Sequence, residues 1–475
     1  MSAPPLLGDL PQRDLSRADA LPSDPPPPSD PSLKDRPLPV PGSSTETAEA
    51  LLVVAFAQAL SDVAPEHVLP QALPAPPRGR TIVVGAGKAA AAMAQALERA
   101  WPGELSGLVV TRYGYSLPCE RIQVLEAAHP VPDELGLDAA RRVMALVAGL
   151  SPDDLVIALF SGGGSALLPL PAEGVTIEDK QSLTAQLLRA GATISEINCL
   201  RKHLSAIKGG RLAEASAPAR LLNLLISDVA GDDPSAIASG PGVPDPSTLA
   251  DAREVLEKYG LEASDAVLEH LSDPSSETPK PGDPCFERVT TRIISCSQAL
   301  LESAATFFTS KGVRPVILSD SIEGESRDVA LVHAAIARQI AHHDQPAVAP
   351  CVILSGGETT VTLRGSGSGG PNAEFLLALV LALGKDVDYA AIACDTDGVD
   401  GVSEVAGAIA CTDTLARARA AGLDARHFLR TNDSHSFFHA LGDQVVTGPT
   451  HNNVNDFRAV FVLPSADRGS SGHKE

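Results

Sequence analysis

Short aliphatic runs alternate with longer amphipathic stretches from Thr81 onward. TIVV (81–84), GLVVTRYGY (107–115), RIQVLEAA (121–128) and DLVIALF (154–160) read as strands, and the segments at 89–100 and 134–149 read as helices. A helical block at 179–216, the strand LLNLLIS (221–227) running into Asp228, and a helix near 249–258 extend the series. Upstream, a helix opens at Ser44-Thr45-Glu46, where the hydroxyls can cap it, and ends before Pro65. Residues 272–288 are polar and Pro-rich, which suits a linker or a long surface loop. A second block then starts at RIISC (292–296). It continues through PVILS (315–319), a helix at 325–343, CVILSGGETTVTL (351–363), a helix at 373–383, YAAIACDTDG (389–398) and RAVFVL (458–463). Strands alternating with helices imply βαβ units and parallel sheets. The expected fold class is therefore α/β, with two domains and a cleft between their strand C-termini, where such sheets bind ligands.

Composition narrows the picture. Hydrophobic residues make up 44% of the chain but aromatics only 3%, so the core must be aliphatic, as in layered α/β enzymes. The formal charge of −22 repels nucleic acid and anionic membranes, and neither is expected as a partner. A phosphate site in this chain needs local Lys, Arg or a divalent cation to invert the sign. Seven cysteines, at 119, 199, 285, 296, 351, 394 and 411, form no C-x-x-C pair, which fits a reducing compartment and a cytoplasmic protein. The Pro/Asp/Ser-rich residues 1–44 read as a disordered tail, as does 465–475, and the apolar stretch at 51–56 is too short to span a bilayer.

Four glycine-bearing loops punctuate the alternation: Gly85-Ala86-Gly87-Lys88, Ser161-Gly162-Gly163-Gly164-Ser165, Ser355-Gly356-Gly357-Glu358-Thr359-Thr360, and Gly365 through Gly370. A strand feeding a glycine turn and then a helix presents backbone N–H groups to anions. Repeated use points to a polyanion, most simply a nucleotide triphosphate, with Lys88 as a point charge on a phosphate. The first loop also satisfies G-x-G-x-x-A, and Arg112 after the next strand could take a 2′-phosphate, so an NADPH enzyme stays open. A tight turn with a solvated lysine is the plainer alternative. The spacing G-x-x-x-x-G-K-[ST] is absent, as is G-x-S-x-G.

Charged groups supply the remaining candidates. Arg201, Lys202, Lys208 and Arg211 form a basic cluster broken by Gly209-Gly210, read either as a functional loop or as a solvated helix face. Asp228 ends a strand, and Asp395, Asp397 and Asp400 share an acidic glycine loop. Oxygen ligands at strand ends suit Mg²⁺ carried in with phosphates, with capped turns as the alternative. His435 and His439 are spaced i, i+4 without H-E-x-x-H and read as structural.

The ordered series GAGKAA, AAHPVPDE, SGGGSALL, NCLRKHLSAIKGGRLA, LLISDVAGDDPSAIASGP, LSGGETTVTL, CDTDGVDG, NDSHSFF and TGPTHNNVND resembles the glycerate 2-kinases with a C-terminal MOFRL domain, whose members are often labelled hydroxypyruvate reductase. The similarity spans roughly residues 45–463. It implies two three-layer α/β/α domains, a larger Rossmann-like one at 45–286 and a smaller MOFRL one at 287–464. The implied reaction is ATP-dependent phosphorylation of D-glycerate to 2-phosphoglycerate with Mg²⁺ or another divalent cation. The resemblance puts the catalytic lysine at Lys88; from the residues themselves, Asp228 or Asp395 could orient or deprotonate the attacking hydroxyl, and Arg201 or Lys208 could supply a cation for the substrate carboxylate. ATP would lie on Gly85, Gly87, Ser161, Gly162, Gly163, Gly164, Ser165, Gly356, Gly357, Glu358 and Thr359. Arg201, Lys208, Asn372, Asn432 and Asp433 would face the substrate, with Asp395 and Asp397 on the metal; a homodimer stays open. Two positions depart from the family pattern: Pro371 replaces an arginine proposed to assist transfer, and His451 replaces a glycine. An NAD(P)H-dependent hydroxypyruvate reductase is the alternative function. A binding protein without turnover is the third.

Overall fold

The computed structural model describes residues 44–464. The tails expected at 1–44 and 465–475 lie outside them, except Ser44, which accepts a hydrogen bond from the Thr47 amide and so caps the helix Thr45–Asp62.

The first sheet contains β1 (Thr81–Ala86), β2 (Ser106–Arg112), β3 (Ile122–Ala127), β4 (Leu155–Phe160), β5 (Arg220–Ile226) and β6 (Val289–Ser295), ordered β3-β2-β1-β4-β5-β6. Every pairing in it is parallel. This is the Rossmann order, with its switch point between β1 and β4. Every residue of β1 and β4 is buried, so both faces need cover. The helix Ala90–Ala100 packs Met93 and Leu97 against Val83 and Ile157 on one face. On the other, Val143 and Val147 of the helix Glu134–Val147 meet Val84 and Val156. Each such side chain contributes about 1.5–3 kcal/mol of burial.

The second sheet holds β7 (Arg314–Ser319), β9 (Cys351–Ser355), β11 (Tyr389–Asp395), β12 (Gly407–Cys411), β13 (Gln444–Val445) and β14 (Asp456–Val462), ordered β13-β12-β11-β14-β9-β7. Two short strands, β8 (Gly324–Glu325) and β10 (Thr359–Thr360), pair separately. Helices Ser326–His343 and Pro371–Leu383 cover one face through Ala334, Phe375 and Leu379. Leu300, Leu301 and Phe308 of the helix Ser297–Ser310 cover the other. No single helix among the described residues is long and apolar enough to cross a membrane.

Three expectations need correction. RIISC does not open the second block: its strand, β6, pairs with β5 and completes the first sheet, so a boundary at 286/287 would cut that sheet. The helix Thr45–Asp62 packs on the second sheet, with the Phe56 and Phe457 rings 5.3 Å apart. The second sheet is mixed rather than parallel. There β14 inserts between β9 and β11, antiparallel to both, and only β7–β9 is parallel. Strand–helix alternation carries no information about where a C-terminal strand inserts.

Candidate active site

The register of β1 and β4 is flush, Ala86 facing Phe160, so their two glycine turns leave the first sheet side by side. They are stitched together: Lys88 N–H donates to Gly162 O at 2.8 Å and Ala89 N–H to Ser161 Oγ at 3.0 Å. Gly87 N–H is likewise used by Val110 O and Ala90 N–H by Gly87 O. The turn after β1 therefore offers an ammonium rather than the expected backbone cradle. The turn after β4 is different. Among the described residues the N–H groups of Gly162 and Gly163 have no protein acceptor. Gly162 is required there, because a Cβ would lie 1.9 Å from Asp228 Oδ2 and 2.3 Å from Asn453 Nδ2.

Lys88 Nζ reaches across to the second sheet and donates to Asp397 Oδ2 at 2.6 Å. Burial alone would lower this ammonium, but Asp397, Asp395 and Asp228 outweigh it and hold it above its ordinary value. Asp397 sits in the turn after β11, whose shape is set by Asp397 N–H on Asp395 Oδ1 and Val399 N–H on Asp397 Oδ1, each 2.8 Å. Antiparallel pairing sets Asp395 opposite Asp456. Burial, then Asp397 and Asp456, push the Asp395 carboxyl well up. The Asp228 carboxyl is also raised by burial, against the pull of Lys88, and Asn453 Nδ2 donates to its Oδ2 at 3.1 Å. Asn455 Nδ2 donates to Asp228 O at 2.6 Å.

Beside this cluster opens a cavity of about 550 Å³ whose lining includes Gly163, Ser165, His129, Lys180, Arg201, Lys208 and Glu358. Lys180 Nζ donates to Pro169 O at 2.9 Å, Lys208 Nζ donates to Leu168 O, and Arg201 has no carboxylate partner among the described residues. Burial, then the neighbouring Arg201 and Arg211, bring the Lys180 amine down to about 7; burial, then Lys180 and Arg201, push Lys208 well down. The cation cluster seen in the sequence thus divides. Arg201 and Lys208 face the cavity, whereas Lys202 is paired with Asp245 at 3.1 Å and Arg211 donates to Lys202 O and Ser276 O. Glu358 reaches the cavity from the second sheet, and burial, then Asp228 and Asp456, raises it to about 7. His129 falls to about 4 through burial and the nearby Lys88 and Arg112.

Other expected residues are engaged elsewhere. Thr359 Oγ1 accepts from Ser326 and Arg458, and Gly357 packs on the backbone of Ile322. The loop Gly365–Gly370 lies against Thr431, Asp433 and Asp400 rather than lining the cavity. Asn432 Oδ1 accepts from Arg364 N–H and Gly365 N–H, and Asp433 Oδ1 from Ser368 N–H, so both brace that loop. Asn372 Nδ2 donates to Asp456 Oδ1 at 2.6 Å. Asp400 caps the helix Pro371–Leu383 through Asn372 N–H and Ala373 N–H, both 2.9 Å. His435 Nε2–H donates to Asp400 O at 3.0 Å and so braces the main chain of that loop. Arg112 stacks over the Tyr115 ring, 4.5 Å from its centroid. Among the described residues no group of three or more His, Cys, Asp or Glu side chains has ready metal-ligand geometry.

Family models match the chain in two stretches: a domain of unknown function (DUF4147) over residues 51–272 and the MOFRL family over 351–456. A D-glycerate 2-kinase of Thermotoga maritima is 39% identical over 86% of this chain and 97% of its own length. The crystal structure of a Thermotoga maritima glycerate kinase superposes with a TM-score of 0.81 at 38% identity, covering 88% of this chain and 100% of that one. The chain belongs to the glycerate kinase family. An Agrobacterium vitis protein carrying a provisional hydroxypyruvate reductase name is 50% identical over 88% of this chain and 95% of its own, so that label runs within the same family.

Against the glycerate kinase pattern, the two departures now have a physical setting. Pro371 is the first residue of the helix Pro371–Leu383, a position where proline's fixed φ fits and its missing N–H costs nothing. His451 has φ +54°, the left-handed region that favours glycine, and its ring packs edge-on to Tyr115 at 5.7 Å. Sequence reasoning missed Lys180, His129, Asn453, Asp456 and Arg458. Arg458, fully buried, pairs with Asp456 and donates to Gly356 O at 3.1 Å. Its one signal was an arginine inside the apolar run RAVFVL.

Proposed function

We infer that this protein is a glycerate 2-kinase, transferring a phosphoryl group to D-glycerate, with ATP as the donor. The observation that supports this reading best is the Lys88 ammonium, held charged among Asp397, Asp395 and Asp228 and next to the open N–H groups of Gly162 and Gly163. Phosphoryl transfer is mostly positioning and charge neutralisation, and a cation beside free backbone donors supplies both. In this reading Lys88 neutralises the transferred group while Gly162 and Gly163 hold phosphate oxygens. Asp228, raised by burial and fixed by Asn453, orients the acceptor hydroxyl and takes its proton. Arg201 supplies the positive charge that an anionic substrate needs in so acidic a chain, with Lys208 a further N–H donor on the same cavity. Asp395 and Asp397 are the oxygen donors that would help hold a divalent cation, which when bound would offset charge on phosphate oxygens. Hard carboxylates few in number suit an ion that arrives with its phosphates rather than one caged by protein alone.

The Rossmann strand order would also accept a dinucleotide, but Arg112 is engaged on Tyr115 and no acidic residue ends β2. The deciding experiment runs glycerate plus ATP beside hydroxypyruvate plus NADPH on one preparation. ATP-dependent formation of 2-phosphoglycerate is expected. Turnover in the reductase assay alone would overturn the reading.

A further inference from the structure

We propose that Arg220, Arg288 and Arg292 form a binding site for a small tetrahedral oxyanion such as inorganic phosphate, at the end of the first sheet opposite the candidate active site. The site goes beyond the kinase reading and does not depend on it.

Strand register brings the three arginines together. Leu221 pairs with Val289, and its N–H donates to Arg288 O at 3.1 Å, so Arg220 and Arg288 lie side by side where β5 and β6 begin. Residues two and four apart along a strand share a face, which adds Leu222 beside Arg220, and Thr290 and Arg292 beside Arg288. All five line one cavity of about 60 Å³, covered by Ala72 and Pro74. Main-chain carbonyls fix two of the guanidiniums. Arg288 donates from Nη1 to Pro218 O and from Nη2 to Pro152 O, both at 2.9 Å, and Arg292 Nη1 donates to Ala72 O at 2.8 Å. A guanidinium has five N–H donors, so each keeps several for a ligand. Among the described residues Arg220 gives only its main-chain N–H, to Asp154 O at 3.1 Å.

The charge of this cluster is unbalanced. Neighbouring strands lie about 4.8 Å apart, and like charges facing each other across strands are destabilising. Carboxylates are plentiful in the chain, 59 Asp and Glu against 37 Lys and Arg. Yet none of the three arginines has a carboxylate partner among the described residues. Asp154, which precedes the residue paired with Arg220, is already committed. It meets Arg80 at 3.1 Å and accepts from Ser151 N–H at 2.8 Å, and these bonds hold its carboxyl far below the usual carboxylate range. An anion that accepts from several forks at once completes the set, and phosphate oxygens match guanidinium geometry. Volume limits its size. The space admits a single oxyanion, whereas sites for nucleotide-sized ligands run to about 300 Å³ and more. Because β5 runs from Arg220 to Ile226, the site lies about 20 Å from the strand end that leads into Asp228, and it is no extension of the cleft there.

The test is the melting temperature in phosphate against chloride, at equal pH and ionic strength, for wild type, Arg220→Gln and Arg220→Glu. Arg220 is exposed and its side chain holds nothing in place, so both variants are expected to fold. An ion that binds only the folded state stabilises it by mass action. Phosphate is expected to raise the wild-type melting temperature by at least about 2 °C over chloride, and to raise that of Arg220→Gln by less than half as much. Arg220→Glu supplies the missing carboxylate from the chain itself. It should melt above wild type in chloride and gain nothing further from phosphate. An equal phosphate rise in wild type and Arg220→Gln would put the ion elsewhere and overturn the site. No rise in wild type, or a rise in Arg220→Glu as large as in wild type, would overturn it as well.

Discussion

Lys88 and Asp397 are 309 positions apart in the chain and meet at 2.6 Å, joining the turn after the first strand of one sheet to the turn after β11 of the other. The pair is mostly buried, with 18% and 2% of the two side chains exposed, so it is shielded from salt. It also ties the geometry of the two sheets to the charge of the site.

Removing Lys88 therefore has two separable effects. Lys88→Ala is expected to lower kcat by roughly two or more orders of magnitude, the scale of a lost transition-state charge contact. It also leaves Asp397 without its cation, which costs stability because an unpaired buried charge remains. Adding Asp397→Asn should restore much of the melting temperature without restoring turnover. If the double variant recovered kcat, Lys88 would be a structural clamp only.

Gly162→Ala tests the contact between the β4 turn and the second sheet. The new methyl would overlap Asp228 Oδ2 and Asn453 Nδ2, so the turn must move or the carboxylate must. Either shift moves Asp228, the proposed proton acceptor, and even small displacements of such a group are expensive in rate. Steady-state kinetics should show kcat falling at least about tenfold, with a lowered melting temperature. A variant of normal rate would mean that Asp228 takes no part in the reaction.

Much of this was legible in the sequence, and the failures have physical causes. Strand and helix positions followed from aliphatic runs because buried parallel strands need both faces apolar. Lys88, Asp228 and the SGGGS turn stood out because glycine and charge at strand ends are unusual. The partition between sheets was not readable: β6 and the helix Thr45–Asp62 obey the same local pattern whichever sheet they join. Nor could adjacent cations be sorted. Arg201 and Lys202 are neighbours on one helix turn, yet one faces the cavity and the other is spent on Asp245. Lys180 was hidden for a related reason, since a lysine in a helix ordinarily marks the solvated face.

The missing family arginine at Pro371 directs a comparison of three variants. Arg364 is exposed, and only its backbone N–H is held, by Asn432. Arg201 lines the cavity and has no carboxylate partner among the described residues. Arg201→Ala is expected to cut kcat/KM by roughly ten- to a hundredfold, the loss of a charge-assisted contact, while Arg364→Ala behaves as wild type. Pro371→Arg should fold normally, because arginine is tolerated at a helix start. A strong rise in kcat for Pro371→Arg, with Arg201→Ala silent, would show instead that no cation in this chain replaces the family arginine.

Lys180 predicts a pH signature of stability. Its amine lies at about 7 in the folded protein through burial and the nearby Arg201 and Arg211, with Lys208, His129 and Glu358 also on the same cavity. In the unfolded chain it returns to about 10.4. Below pH 7 both states hold the proton, and folding bears the full cost of burying the charge. Between about 7 and 10.4 the unfolded state binds a proton that the folded state has lost, so stability rises with pH across that window. Lys180→Met abolishes this contribution, and it should be more stable than wild type by roughly 1–3 kcal/mol at pH 6.5, allowing for solvent on the open side of the cavity. The gap should close as pH rises toward 9.5. Urea midpoints of the two proteins at several pH values supply the measurement, with Lys208, which Lys180 helps hold down, the neighbour whose own titration also changes. Parallel curves across the range would mean that Lys180 titrates normally, and that its positive charge is already balanced in the folded protein.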